Sequence, residues 1–288
     1  MPDIRRRTTE QKRVAETDMP AKAKSIRRTL ADLIRQVWEE NVRLKASGLV
    51  TMTWGNVSGI DRRRGIVVIK PSGMDYATLR PADMVLTDLA GRRLEPASRL
   101  EPASRLESAR MPSTDLPTHL VLYREFAEIG GVVHTHSTYA TAFAQAGRGL
   151  PCLGTTHADY AYGEVPVTDV MRPSAIREHY EANTGRMIVK KIRSLRLQPG
   201  CRFQPMACPF IFVANHAPFA WGVTPAAAVE NAIVLEAISK MALLTFLLDA
   251  PRRSLRRSLG GLRTGISKVL LDKHYLRKHG KTAYYGQA

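Results

Sequence analysis

The sequence has few cysteines, few aromatic residues and no long hydrophobic run, and each shortage excludes a class of protein. Its three cysteines form no CxxC pair, so neither a disulfide framework nor a cysteine zinc site is predicted, and a reducing cytoplasm is the expected compartment. No continuous apolar run approaches the ~18 residues of a membrane span, so we expect a soluble protein without a membrane partner. A composition of 44% hydrophobic and 24% charged residues excludes a disordered or collagen-like chain.

Acidic residues are also scarce, because 26 Asp and Glu stand against 43 Lys and Arg, which gives a net charge of +17. The excess lies in three segments, residues 1–30 (+5), 186–206 (+6) and 251–281 (+9), and the rest of the chain is near −3. Aromatic residues that could stack on bases are nearly absent from these segments. We therefore interpret them as solvated surface or tail, and a nucleic-acid partner is not expected.

The order of patterns along the chain predicts one α/β domain. Residues 1–25 read as a basic flexible tail without a secretory signal, and residues 26–288 as the folded domain. Residues 93–108 repeat the motif RLEPAS and are predicted to form a surface loop. Apolar runs predict strands near residues 67–69, 84–86, 132–133 and 211–213. Periodic patterns predict helices near residues 26–48, 115–126, 139–146 (capped by Ser137), 225–248 and 268–279.

A histidine pair at the end of one predicted strand suggests a metal site. His134 and His136 are two residues apart, so in an extended chain both imidazoles point to the same side. His216 follows another apolar strand and could complete a three-histidine zinc site with one open position. Spacing alone is weak evidence, and Asp115 could be a fourth ligand, a base or simply a helix cap.

Other segments carry groups suited to anions or proton transfer. Residues 55–56, 71–73 and 113–114 each combine a hydroxyl, an amide or a backbone N–H, and the last lies at a predicted helix N-terminus, where a phosphate is favoured. Asp159 and His157 are candidate acid and base, although a hydrogen-bonded loop is the favoured interpretation until a pocket is shown. The C-terminus is rich in polar donors from His274 onward, which suggests that it docks on something, such as a neighbouring subunit.

Together these segments resemble the L-ribulose-5-phosphate 4-epimerases of the class II aldolase family. The similar motifs occur in the family's order: TWGNVS (53–58), IKPSG (69–73), PSTDLPTH (112–119), HTHS (134–137), GTTHADY (154–160), HAPFAWG (216–222) and the ending from His274 to Gln287. They span most of residues 30–288.

The resemblance implies a fold, an assembly and a set of site residues. The fold would be a three-layer αβα domain with a mainly antiparallel central sheet, assembled as a homotetramer with active sites between neighbours. One Zn2+ per subunit would be held by His134, His136 and His216, with Asp115 close to it, and proton transfer would fall to Asp159 and to Tyr285 of an adjacent subunit. The substrate-binding positions would be Asn56, Lys70, Ser72, Gly73, Ser113, Thr114, Thr155, Glu181, His274 and Arg277.

The implied reaction is conversion of L-ribulose 5-phosphate to D-xylulose 5-phosphate in pentose catabolism. The C4 hydrogen of a ketopentose phosphate is not acidic, so inversion would proceed by cleavage and re-formation of the C3–C4 bond. Zinc would act as a Lewis acid on the resulting enediolate, two groups would transfer protons on opposite faces, and no redox cofactor would enter. The family's sugar aldolases tend to have Glu in place of Asp115 and lack this C-terminal ending, so both features favour the epimerase.

The chain departs from the family pattern at its basic segments. The tail, the RLEPAS repeat and the insertions near residues 190–209 and 251–265 have no counterpart, and Asn215 stands where Ser is usual. The insertion near residues 190–209 could displace His216. Two alternatives remain open: a sugar-phosphate aldolase of the L-fuculose-phosphate type, and a non-catalytic relative that binds an anionic surface or nucleic acid.

Overall fold

The computed structural model describes residues 29–94, 110–196, 204–257, 265–280 and 283. The predicted basic tail, most of the RLEPAS repeat and the later part of the insertion near 251–265 fall outside these ranges, as do Cys201 and Tyr285. Inside them, Cys152 and Cys208 are buried free thiols.

A six-stranded sheet forms the centre of the molecule, and every neighbouring pair of strands in it is antiparallel. In spatial order the strands are β3-β2-β1-β4-β6-β5. They span β1 (Gly55–Asp61), β2 (Ile66–Ile69), β3 (Val85–Asp88), β4 (Gly131–Thr135), β5 (Phe210–Phe212) and β6 (Pro218–Gly222). The motif-bearing strands β1 and β4 are therefore direct neighbours in the middle of the sheet.

Eight α-helices accompany the sheet in the described part of the chain. They are α1 (Leu30–Ala46), α2 (Leu116–Glu125), α3 (Thr138–Gln145), α4 (Thr155–Ala158), α5 (Pro173–Arg177), α6 (Tyr180–Arg196), α7 (Pro225–Arg257) and α8 (Lys268–His279). A 3₁₀ turn, Pro81–Asp83, precedes β3. The sequence predicted α1, α2, α3, α7 and α8 to within a few residues, although α7 continues to Arg257 instead of ending near Leu248.

The two faces of β1 show why helices cover both sides of the sheet. The Ser58 hydroxyl lies 2.7 Å from Nδ1 of His119 on α2, so α2 covers one face, and α6 packs on α2. Gly59 points to the opposite face, where an added Cβ would come within 2.9 Å of Leu33 on α1 and 2.8 Å of Pro225 at the start of α7. Gly59 thus lets α1 and α7 pack closely on one face of the sheet, and Ser58 makes a polar contact with α2 on the other. Helices cover both faces, so the predicted αβα layering is confirmed.

The long helix α7 is apolar over much of its length. With a mean hydropathy of 1.7, its segment Pro225–Asp249 is long and apolar enough to cross a membrane by length and composition alone. Core helices of globular proteins meet the same criterion, and here Ala228, Val229, Leu235 and Ile238 are buried. Polar residues such as Glu230 and Lys240 interrupt this segment, so it contains no unbroken apolar run.

Candidate active site

The three predicted metal ligands come from the centre of the sheet and from one tight turn. His134 lies in β4, paired with Asn56 of β1 on one side and Phe219 of β6 on the other. His136 is the first residue after the end of β4. His216 sits in the turn between β5 and β6, where its N–H donates to the Val213 carbonyl. Antiparallel pairing therefore brings together residues that are about eighty positions apart.

The histidine side chains converge as a metal site requires. One ring nitrogen from each of His134, His136 and His216 lies within 4.8 Å of the others, and the Nε2 atoms of His134 and His136 are 3.2 Å apart. Nδ1 of His134 lies 3.0 Å from the Pro218 carbonyl, which can only accept, so this nitrogen carries the hydrogen and Nε2 presents its lone pair. Such a carbonyl partner is typical of a metal-binding histidine.

The electrostatics of the cluster also fit a cation. Burial, together with His134 and His136 nearby, lowers the pKa of His216 to about 4, and burial followed by His134 lowers the pKa of His136. Both imidazoles are neutral at physiological pH, which leaves lone pairs for a metal. Nδ1 of His216 is buried without a hydrogen-bond partner in the described part of the chain. Three clustered imidazoles with a pocket beside them are a donor set that suits zinc with an open position.

The turn that carries His216 explains why Asn is tolerated before it. Asn215 has a φ of 60°, in the left-handed region that Asn adopts more readily than most residues. Its N–H donates to the Ala144 carbonyl at 3.0 Å, which ties the turn to the end of α3. The insertion near residues 190–209 does not displace His216, since α6 extends to Arg196 and the chain re-enters the core at the fully buried Cys208.

Asp115 lies in the pocket but does not cap its helix. It occupies the N-cap position of α2 without a side-chain capping bond, so the capping alternative is wrong. Its Oδ2 accepts a hydrogen bond of 2.7 Å from Nδ2 of Asn56. Burial alone would raise the pKa of Asp115, but the nearby His134 and His119 outweigh it and the pKa is lowered. Asp115 is therefore an anionic neighbour of the histidine cluster.

Asn56 was expected to hold a phosphate, and the structure gives its amide a different contact. Nδ2 is engaged by Asp115, and Oδ1 is buried without a partner among the described residues. A side-chain amide oxygen accepts hydrogen bonds, so this atom suits a hydroxyl group of a ligand better than a phosphate oxygen.

A second part of the pocket presents hydrogen-bond donors. The segment after β2 and the segment before α2 run side by side, joined by bonds from Ser72 N–H to the Met111 carbonyl (2.9 Å) and from Ser113 N–H to the Lys70 carbonyl (3.0 Å). The N–H groups of Gly73, which has a φ of 63°, and Thr114 make no hydrogen bond within the described chain. Together with neighbouring hydroxyls these N–H groups could receive an anion, and we call the group Lys70, Ser72, Gly73, Ser113 and Thr114 the anion cradle.

Lys70 supplies the positive charge of the anion cradle. Its side chain is 1% exposed, and Nζ lies 4.6 Å from the ring centroid of Tyr76. Burial lowers the pKa of Lys70 to about 8, since a buried ammonium lacks the stabilisation of water. A bound anion would return that stabilisation.

One pocket of about 400 Å³ joins the histidine cluster to the anion cradle. It also contains two aromatic residues that the sequence analysis missed, Trp54 and Tyr180, whose rings lie 6.5 Å from His136 and 5.8 Å from His216. Tyr180 adjoins the predicted Glu181, and Trp54 adjoins the TWGNVS glycine, so both could have been proposed from proximity. The lining is Thr53, Trp54, Gly55, Asn56, Lys70, Pro71, Ser72, Gly73, Ser113, Thr114, Asp115, His134, His136, Tyr180, Glu181 and His216.

The other predicted residues that the structure describes, Thr155, Asp159, His274 and Arg277, lie in a separate cluster at α4 and α8. The Asp159 carboxylate accepts bonds of 3.1 and 2.9 Å from Nη2 of Arg277, and Nδ1 of His274 lies 3.1 Å from the same carboxylate. Thr155 begins α4, the short helix that ends just before Asp159. None of these four residues is among the described residues that line the pocket of the same chain.

Comparison with known protein families gives a match over the part of the chain that contains the pocket. A model of the class II aldolase and adducin N-terminal domain matches residues 35–243. The chain belongs to this class II aldolase family. The match covers the histidine cluster and the anion cradle but ends before α8, so the family match itself says nothing about His274 or Arg277.

Solved structures share the fold of this family member. L-fuculose 1-phosphate aldolase is 19% identical with a TM-score of 0.63, covering 87% of this chain and 98% of its own. The L-fuculose-1-phosphate aldolase of Thermus thermophilus is 22% identical with a TM-score of 0.55 and coverages of 76% and 98%. YgbL of Escherichia coli, provisionally assigned as an aldolase, epimerase or decarboxylase, is 22% identical with a TM-score of 0.53 and coverages of 74% and 89%. At such identities the similarity establishes the fold alone.

Proposed function

We propose that this class II aldolase-family member is a zinc-dependent epimerase that converts L-ribulose 5-phosphate to D-xylulose 5-phosphate. The observation that carries the proposal is a pocket in which three clustered histidines lie beside the anion cradle. Such a pocket suits a phosphorylated sugar, with its phosphate at the anion cradle and its carbonyl and hydroxyl oxygens at the histidine cluster. Asp at position 115 and the C-terminal ending favour the epimerase over the aldolase, through the resemblance described above.

The reaction breaks and re-forms one carbon–carbon bond. Removing the proton of the C4 hydroxyl lets the C3–C4 bond break, and its electron pair passes into an enediolate of dihydroxyacetone. A bound zinc ion would supply Lewis-acid stabilisation of that negative charge. The other fragment is glycolaldehyde phosphate, and bond formation on the opposite face of its aldehyde, followed by return of a proton, gives the C4 epimer.

The anion cradle has a defined task in this scheme. The Gly73 and Thr114 N–H groups and the Lys70 ammonium would hold the phosphate while the aldehyde rotates. A fragment anchored at one end can present either face without leaving the pocket. Retention of this fragment is what distinguishes an epimerase from an aldolase.

The proton-transfer groups would be Asp159 and Tyr285. Since Asp159 lies outside the pocket of its own chain, the proposal requires that a neighbouring subunit deliver it, as in the expected homotetramer. Surface composition supports an assembly, because no residue of α8 is buried and the outer faces of α7 and α8 expose large apolar side chains: Met241, Leu244, Leu247, Leu248, Val269 and Leu276. His274 and Arg277 would then position the Asp159 carboxylate.

The deciding experiment is a coupled assay of D-xylulose 5-phosphate formation from L-ribulose 5-phosphate, before chelation, after chelation and after zinc is restored. We expect activity to be lost on chelation and to return with zinc. An assay for free dihydroxyacetone and glycolaldehyde phosphate separates the two family reactions, because an aldolase releases the fragments. Zinc binding with fragment release and no epimer would overturn the epimerase in favour of the aldolase.

Binding to nucleic acid or an anionic surface is the remaining alternative, and the basic segments are the only observation that favours it. Phosphate-backbone binding weakens steeply with salt. Titration with duplex DNA at two salt concentrations tests it, and we expect no salt-sensitive binding at physiological ionic strength. We also expect the enzyme in the cytoplasm.

A further inference from the structure

The carboxylate of Glu236, in the middle of α7, reaches the first turn of α3. Oε1 accepts from the Tyr139 N–H and Oε2 from the Ala140 N–H, both at 2.9 Å. The first N–H groups of a helix have no partner within the helix, and a negative charge there is favourable. A residue from nearly one hundred positions along the chain thus satisfies the start of α3.

Glu236 takes the place of the cap that the sequence predicted. Ser137 occupies the N-cap position of α3, but its side chain makes no capping hydrogen bond. The only hydrogen bond of its hydroxyl among the described residues is a weak one of 3.3 Å from the Thr135 hydroxyl. The prediction that Ser137 caps this helix is therefore wrong, and without Glu236 two N–H groups at the start of α3 would lose their acceptor.

The helix that Glu236 holds begins two residues after His136, a proposed metal ligand. His134 is fixed by strand pairing on both sides and by the Pro218 carbonyl. His136 has neither kind of support: it lies past the last paired residue of β4, and the only ring-nitrogen contact recorded for it in the described chain is with His134. Its position depends on the backbone that joins β4 to α3.

A second contact ties the same two helices. Nζ of Lys240, one turn after Glu236, lies 5.4 Å from the ring centroid of Tyr139. On either side of Glu236, Leu235 and Ile238 are 1% and 3% exposed, so this part of α7 is fixed in the core. Glu236 therefore links the start of α3 to a part of α7 that packing holds in the core.

We propose that Glu236 is a positioning residue, which holds His136 in metal-binding geometry by fixing the first turn of α3. The inference rests on the metal site of the proposed function, although it does not depend on which sugar phosphate reacts. Partners that orient metal ligands in this way commonly change metal affinity 10- to 100-fold when they are removed.

The test titrates metal-free protein with Co2+ and follows the visible absorption of the bound ion. Glu236→Ala removes both acceptors, and Glu236→Gln keeps the shape but places an NH2 group against one N–H donor. We expect Co2+ affinity to fall about 10- to 100-fold in Glu236→Ala and less in Glu236→Gln, with an altered absorption spectrum in both. Glu230→Gln is the matched control on α7, because Glu230 bonds the Tyr160 hydroxyl and not α3; it should leave both readouts unchanged.

Thermal unfolding of the metal-free variants separates positioning from stability. Variants that are less stable yet bind Co2+ with wild-type affinity and spectrum would overturn the proposal, since Glu236 would then be a structural cap only. Should Glu236→Ala not fold, Glu236→Gln carries the test alone. A wild-type protein that binds Co2+ but does not epimerise the substrate would contradict the proposed reaction. The role of Glu236 would still be decided by the Co2+ affinities of its variants relative to the wild type. A wild type that binds no Co2+ would overturn both.

Discussion

The pocket and the α4–α8 cluster hold functional side chains in opposite ways. In the pocket, His134 is 2% exposed and lies in the middle of the sheet, where packing and strand pairing fix it. In the α4–α8 cluster, Asp159 is held by an arginine and a histidine from a helix with no buried residue. The contrast indicates that the proposed metal site is part of the folding core, whereas the proposed proton-transfer residue Asp159 is held by contacts with partly exposed side chains of α8.

Removing a pocket ligand should have the largest effect on activity. His216→Ala leaves two histidines, and loss of Lewis-acid stabilisation worth several kcal/mol corresponds to about 10³-fold or more in kcat/KM. Co2+ titration and the epimerase assay measure the loss. His179→Asn is the control, since His179 is an exposed histidine with a φ of 54°, which Asn tolerates; equal losses in both variants would contradict the assignment of the cluster.

Neutralising the acid of the α4–α8 cluster should reduce activity and spare the metal. Asp159→Asn keeps the shape but cannot transfer the proton, and such groups contribute roughly 10²- to 10⁴-fold. We expect kcat to fall within that range while Co2+ affinity stays at the wild-type value. Loss of the metal in this variant would break the comparison, because the two regions would then be coupled.

Acid should destabilise the fold through His157 of α4, whose side chain is 3% exposed. Burial lowers the pKa of His157 to about 4. As the pH falls below the unfolded value of ~6.5, the unfolded chain takes up a proton that the folded chain refuses, so stability is lost between pH 6.5 and about 4. The loss is roughly 2 kcal/mol at pH 5.

Denaturant unfolding at pH 7.5 and pH 5 measures this effect, with His157→Gln as the comparison. Protonation of His119, His136 and His216 also destabilises the fold in acid, since burial lowers the pKa of each. The prediction therefore concerns the difference between the wild type and His157→Gln. The pH-dependent loss should be smaller in His157→Gln by roughly 2 kcal/mol. An identical loss in both would show that His157 is not held neutral in the fold.

Weakening the ion pair of α8 should have the smallest effect. Arg277→Lys replaces the group that contacts both oxygens of Asp159 with a point charge, at a cost of about 1 kcal/mol. Hydrogen exchange of residues 268–279 should become several-fold faster, while exchange in β4 is unchanged. Faster exchange in β4 as well would contradict the view that α8 opens independently of the core.

Local patterns predicted five of the helices and the strands β2, β3, β4 and β5, but they missed β1 and β6. Gly48 follows the end of α1 as predicted, and the 3.6-residue period of α1 and α7 was readable, because helix ends and apolar periodicity are properties of a short segment. Strands β1 and β6 contain glycine, alanine and proline, which have low strand propensity. Their conformation comes from pairing with β4, which no local window contains, and α6 was missed because polar residues dominate it.

The sequence by itself determined which residues could do chemistry, namely the HTH pair, the later histidine and the IKPSG and PSTD segments, because side-chain types and motif order are written in the chain. Only the tertiary structure decided which of them meet. Antiparallel pairing of β1, β4 and β6 brings His134 and His216 together and leaves Asp159 on a different part of the chain's surface. Packing likewise decides that Glu236 and not Ser137 caps α3. The packing of α7 on α3 places two carboxylate oxygens at the first N–H groups of α3, whereas the Ser137 side chain makes no capping hydrogen bond.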